Sequence, residues 1–193
     1  MVQIILIRPG ATDYDDEQRI QGTLDIPLNA HGDAEVARVI DDLSDRSIEA
    51  VYSPSCEPAY QTAETLSQAL GIKHKKLDGL QNVNHGLWQG MKVDEVRRKH
   101  PKVYRQWQEQ PESVCPPEGE MLDQAEKRMR TALAKIIKKH KQGTVALVAP
   151  EPMASLVRRF ADNSELGNLW ESPKVHGQWD VLDVTPALIA QGG

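Results

Sequence analysis

The chain has 193 residues, 39% hydrophobic and 26% charged, with a formal net charge of −5. That balance excludes a fibrous, disordered or membrane-buried chain, and no basic stripe marks a nucleic-acid partner. The clusters Arg97, Arg98, Lys99 and Lys138, Lys139 fall in helical segments and read as solvated faces.

Residues 2–8 form an apolar, β-branched run of buried-strand length. It meets Arg8 too soon for a signal peptide or a membrane span, so no membrane is expected. Over 29–45, Val36, Val39, Ile40 and Leu43 repeat at helical spacing behind Asn29, a suitable N-cap. A short strand is expected at 49–53. A helix over 58–70 follows, with Ala59, Ala63, Leu66 and Leu70 on one face and Gly71 as its C-terminal cap.

A third strand is expected at 72–77. Residues 92–110 read as polar helix broken at Pro101, and the proline-rich stretch 111–119 as a loop. A long helix over 121–141 buries Leu122, Ala125, Met129, Leu133, Ile136 and Ile137. Residues 143–149 are a buried strand, and Met153, Leu156, Val157 and Phe160 line the helix behind it. A last strand is expected at 178–184. This alternation predicts a single α/β domain over residues 1–193, with a mostly parallel sheet and helices on both faces. In such folds ligands bind beyond the C-terminal strand ends, which points to 8–12, 53–58, 82–86 and 150–153.

Several of those segments resemble the histidine phosphatase (phosphoglycerate mutase-like) superfamily. LIRPGAT (6–12) looks like its strand-plus-RHG signature. RIQGTLDIPLNAHG (19–32) is similar to R-x-x-G-x-x-D-x-P-L-x-x-x-G, with Arg19, Gly22, Asp25, Pro27, Leu28 and Gly32 in place. PAYQTAETL (58–66), GLWQG (86–90), PEGE (117–120) and VALVAP (145–150) resemble four further family segments in the right order. The resemblance implies a three-layer αβα sandwich.

It also implies a phosphoryl-transfer site, which needs a nucleophile, positive charge and a proton donor. The family's nucleophilic histidine stands at Pro9 and its second histidine at Pro150. Its helix-start arginine stands at Pro58, and its proton-donating glutamate at Asn82. A proline ring cannot attack phosphorus, and an amide does not exchange a proton near neutral pH. Of these five core positions Arg8 alone is kept, while the flanking phosphate ligand, usually asparagine, corresponds to Asp15. Glu57 and Glu151 stand beside lost cations, and Asp13, Asp15 and Asp16 follow the first strand. One carboxylate 4 Å from a phosphate charge opposes it by roughly 4 kcal/mol at an effective dielectric near 20. Weak or absent phosphate affinity is therefore expected.

The expected vestigial pocket comprises Arg8, Asp15, Arg19, Thr23, Glu57, His85, Glu120 and Glu151. Arg8 either binds an anion or forms a buried ion pair with Asp15 or Glu120. His85 reads as a polar loop histidine, with a replacement nucleophile or ligand as the alternative. Glu120 either ties a pocket loop or opens a helix at its favourable end. His31 and His176 read as surface or capping residues, and the four tryptophans as packing. Cys56 and Cys115 lack metal or disulfide spacing, which makes a reduced, cytoplasmic setting the default. No metal or cofactor is expected. The expected function is a catalytically inactive pseudoenzyme that binds a protein or small ligand, with a homodimer left open. The alternative is an enzyme of altered chemistry built from residual pocket residues.

Overall fold

The computed structural model describes residues 1–171 and 176–185. Its strands are β1 (Val2–Ile7), β2 (Ala50–Ser53), β3 (Lys73–Lys76), β4 (Gly143–Val148) and β5 (Trp179–Val184). They form one sheet in the order β3-β2-β4-β1-β5, parallel except for β5, which runs antiparallel along β1. The helices are α1 (Asp13–Asp16), α2 (Ala30–Leu43), α3 (Ala59–Leu70), α4 (Val93–Lys99), α5 (Pro101–Glu109), α6 (Leu122–Lys139) and α7 (Met153–Asp162).

The strands alternate between two cores. Ile4, Leu6, Tyr52, Val145 and Leu147 face α6 and α7 with Met129, Leu133, Leu156 and Val157. Ile5, Ile7, Val51, Ala146 and Val148 face α2 and α3 with Val39, Leu43, Ala63 and Leu66. A sheet buried on both faces explains the near-continuous apolar runs of β1 and β4. The chain moves outward from β1 through β2 to β3, then returns to β4. Right-handed crossovers therefore put α2 and α3 on one face and α6 on the other. The result is the expected αβα sandwich.

Local signals hold where they were strongest. Asn29 caps α2 by accepting from the Gly32 amide at 2.9 Å, and Gly71 ends α3 at φ 66°. Pro101 separates α4 from α5. The single turn α1 was not foreseen. It has no apolar stripe and is held by a capping box, in which Asp15 Oδ2 accepts from the Thr12 amide at 2.7 Å.

The loop after β1 rides directly on α2. A Cβ on Gly32 would stand 2.1 Å from the Ala11 carbonyl oxygen and 2.7 Å from its nitrogen. Neither backbone atom can swing away as a side chain would. Gly32→Ala is expected to lose about 3 kcal/mol in urea unfolding. Gly71→Ala, where nothing lies within 4 Å and only the positive φ is strained, should lose about 1 kcal/mol. Equal losses would remove the case for a close loop-to-helix approach.

Candidate functional site

The loops that follow β1, β2, β3 and β4 wall one crevice at the carboxyl edge of the sheet. Each contributes one of the four positions that the resemblance singles out, and Pro9, Pro58, Asn82 and Pro150 all line it. The cavity at these loops, the inner one, has a volume of about 60 Å³ and adjoins an outer one of about 200 Å³. Asp15, Arg19, Val93 and Trp170 line both. Of the expected pocket residues, Asp15, Arg19, His85 and Glu151 face the inner cavity, whereas Arg8, Thr23, Glu57 and Glu120 do not.

Arg8 lies beneath the crevice, 2% exposed, at the end of β1. Its Nε donates to Glu151 at 3.3 Å and its Nη1 to Asp180 on β5. Asp180 also accepts from Arg158 on α7 at 2.6 Å. Glu151 is 5% exposed and holds its second oxygen on the Ser155 amide and hydroxyl, at 3.1 and 2.7 Å. The ion-pair reading of Arg8 is therefore the right one, but with different partners. Asp15 is occupied by the Thr12 cap, and Glu120 pairs with Arg128 at 2.6 Å. Burial raises the Glu151 carboxyl above its ordinary value, against the opposing pull of Ser155 and Arg8.

Asn82 acts as a brace. Its amide donates to the carbonyls of Gly22 at 3.0 Å and Glu151 at 2.9 Å, tying three of the loops together. Thr23 is likewise structural, because its amide and hydroxyl both donate to Gln89 at 2.8 and 3.1 Å. Glu120 accepts from the Asn84 amide at 2.9 Å and so fixes the loop that carries His85. Of its two expected roles, this is the loop-tying one.

His85 is not a polar loop residue. It is 7% exposed, packs edge-on against Trp107 with ring centroids 5.4 Å apart, and its Nδ1 is buried without a hydrogen-bond partner. Burial pushes its pKa down to about 4, so the ring is neutral at pH 7. Burial raises the Asp15 and Glu57 carboxyls, and one Glu57 oxygen is buried without a hydrogen bond. Both cysteines are free. Burial pushes the Cys56 thiol up to about 11, which leaves no thiolate there at neutral pH.

Sequence reasoning missed several wall residues. Trp107 and Trp170 do pack together with Trp88, yet both also face the crevice. Their apolar neighbours, Val103 and Tyr104 beside Trp107 and Leu169 beside Trp170, mark packing and give no hint of a face turned to the crevice. His176 also lines the crevice and meets buried Glu35 at 2.6 Å, while His31 lies 3.4 Å from the same carboxylate. Arg19 sits at the mouth, held by Glu17 at 2.5 Å and the Gly90 carbonyl at 2.8 Å. Among the described residues, no group of three or more His, Cys, Asp or Glu gathers to hold a metal. Nor is any of their helices long and apolar enough to cross a membrane.

A three-layer α/β fold with its crevice at these loops defines the phosphoglycerate mutase-like class. The chain belongs to the histidine phosphatase superfamily (branch 1), whose family profile matches residues 4–187. It is 32% identical over 149 residues to Phosphoserine phosphatase 1 of Hydrogenobacter thermophilus, covering 77% of this chain and 71% of that protein. It is 30% identical over 169 residues to Bifunctional protein Rv2228c of Mycobacterium tuberculosis, covering 87% of this chain. There the chain spans 46% of the relative's length. The solved structure of Bacillus stearothermophilus YhfR shares the fold with a TM-score of 0.85 at 24% identity, covering 96% of this chain and 93% of that one.

Proposed function

We propose that this chain is a non-catalytic member of the superfamily that works by binding a ligand in its crevice. The observation that carries this reading is the pairing of Pro9 and Pro150 on one wall, at the positions that correspond to the family's two histidines. Neither ring offers a lone pair to phosphorus or a proton to a leaving oxygen. Arg8, the one kept core residue, is neutralised by Glu151 and Asp180 and does not line the cavity. Asn82 spends its amide on two backbone carbonyls. The Asp15 carboxylate on the wall further disfavours a phosphate dianion.

Relatives with phosphatase names make the rival reading an enzyme of altered chemistry, so hydrolysis of p-nitrophenyl phosphate is the direct test. The expected rate equals that of buffer at both acid and neutral pH, and calorimetry with inorganic phosphate should show no saturable heat. Turnover that co-elutes with the protein and falls in Asp15→Asn or His85→Phe would overturn the proposal.

A further inference from the structure

The crevice pairs a donor with an acceptor, and neither is spoken for. His85 is buried and lines the inner cavity, and its ring hydrogen-bonds to no described residue. Its Nδ1 is sealed from solvent. An orphaned buried N–H is rarer than an orphaned acceptor, which assigns the proton of the neutral ring to Nε2. The edge that His85 can offer to a ligand is then a donor. Asp15 uses Oδ2 for the Thr12 cap, and its Oδ1 bonds to no described residue, leaving a carboxylate oxygen on the same wall.

From this pairing we infer that the crevice binds a neutral, planar amide-bearing molecule. The carbonyl accepts from His85, the NH2 donates to Asp15, and the apolar body lies against Trp170 in the outer cavity. The inference rests on the non-catalytic reading and gives its ligand a chemical class. Size supports the division. The inner cavity of about 60 Å³ admits a head group, and the 200 Å³ neighbour has room for a ring. Charge supports neutrality. An anion would face the Asp15 carboxylate, while a cation would bring no acceptor to His85 and would meet Arg19. In the outer cavity Val93, Tyr104 and Trp170 supply the apolar surface against which a flat ring can lie.

The test is a titration of the 15N-labelled full chain with benzamide, benzoate, benzylamine and inorganic phosphate, read by NMR. Benzamide should give saturable shifts at the Trp170 indole and the His85 ring nitrogens, with a Kd on the order of 1 mM. Benzoate and benzylamine should bind about tenfold more weakly, and phosphate not at all. Asp15→Asn and His85→Phe should each weaken benzamide about fivefold. The ranking of probes on the unaltered chain decides the matter even if a variant fails to fold. No saturable benzamide shift, shifts that map away from the crevice, or benzoate or benzylamine binding as tightly would overturn the inference. If benzamide fails while p-nitrophenyl phosphate stays intact, this inference falls and the non-catalytic reading stands. Turnover of the ester would instead remove that reading.

Discussion

Arg8→Ala is expected to cost about 3–5 kcal/mol of stability, because it leaves the carboxylate of Glu151 buried without its cation. For a chain of this size that corresponds to a fall in Tm of about 6–20 °C. The loss arises mainly from the orphaned charge rather than from missing contacts. Arg8→Met combined with Glu151→Gln should therefore recover more than half of it, since neither remaining side chain is ionised. Thermal unfolding of the single and double variants checks both statements. A single variant within 1 kcal/mol of the unaltered chain by the same bookkeeping would show that Arg8 is not the clamp its partners indicate.

The second large effect is acid sensitivity from His85. Its folded-state pKa is held down to about 4 by burial, whereas the unfolded ring titrates near its ordinary 6.5. Above pH 6.5 the ring is neutral in both states, and its full contribution to stability is present. As the pH falls below that value the unfolded chain takes up a proton that the folded chain refuses. Stability then drops by about 1.4 kcal/mol per pH unit, reaching about 3 kcal/mol near pH 4. The raised carboxyls of Asp15, Glu57 and Glu151 act in the opposite direction, so the comparison must be with His85→Phe. The unaltered chain should lose about 2 kcal/mol more than the variant between pH 7 and pH 5 in urea unfolding. Parallel pH profiles would show that His85 takes its proton as an exposed histidine does.

What was legible in the sequence was what neighbouring residues decide. Asn29 and the Gly32 amide lie three residues apart, and Gly71 needs only its own backbone freedom. The apolar stripes of α2 and α6 are properties of single segments, and the family motifs mark the strand-end loops. The partner of Arg8 was illegible for the opposite reason. Asp180 lies 172 residues away, on an antiparallel edge strand whose register fixes the pairing. His85 is covered by Trp107, which lies on the apolar edge of α5 with Val103 and Tyr104, and the sequence of that helix does not say which distant loop the edge meets. Thr23 lies within the 19–32 motif and Glu120 ends the PEGE motif, so the resemblance places both at the pocket. Their side chains turn toward Gln89 and Arg128 instead.

The Arg8 clamp also bears on any attempt to build the family's phosphate site into this scaffold. Installing histidine at Pro9 and Pro150 and arginine at Pro58 would restock the wall, yet the guanidinium below would stay locked to two carboxylates. A glutamate at Asn82 would point its negative oxygens at the carbonyls of Gly22 and Glu151, which the present amide satisfies. Such a redesign would therefore have to begin underneath the cavity, by unseating Glu151 and Asp180 before anything above them is changed.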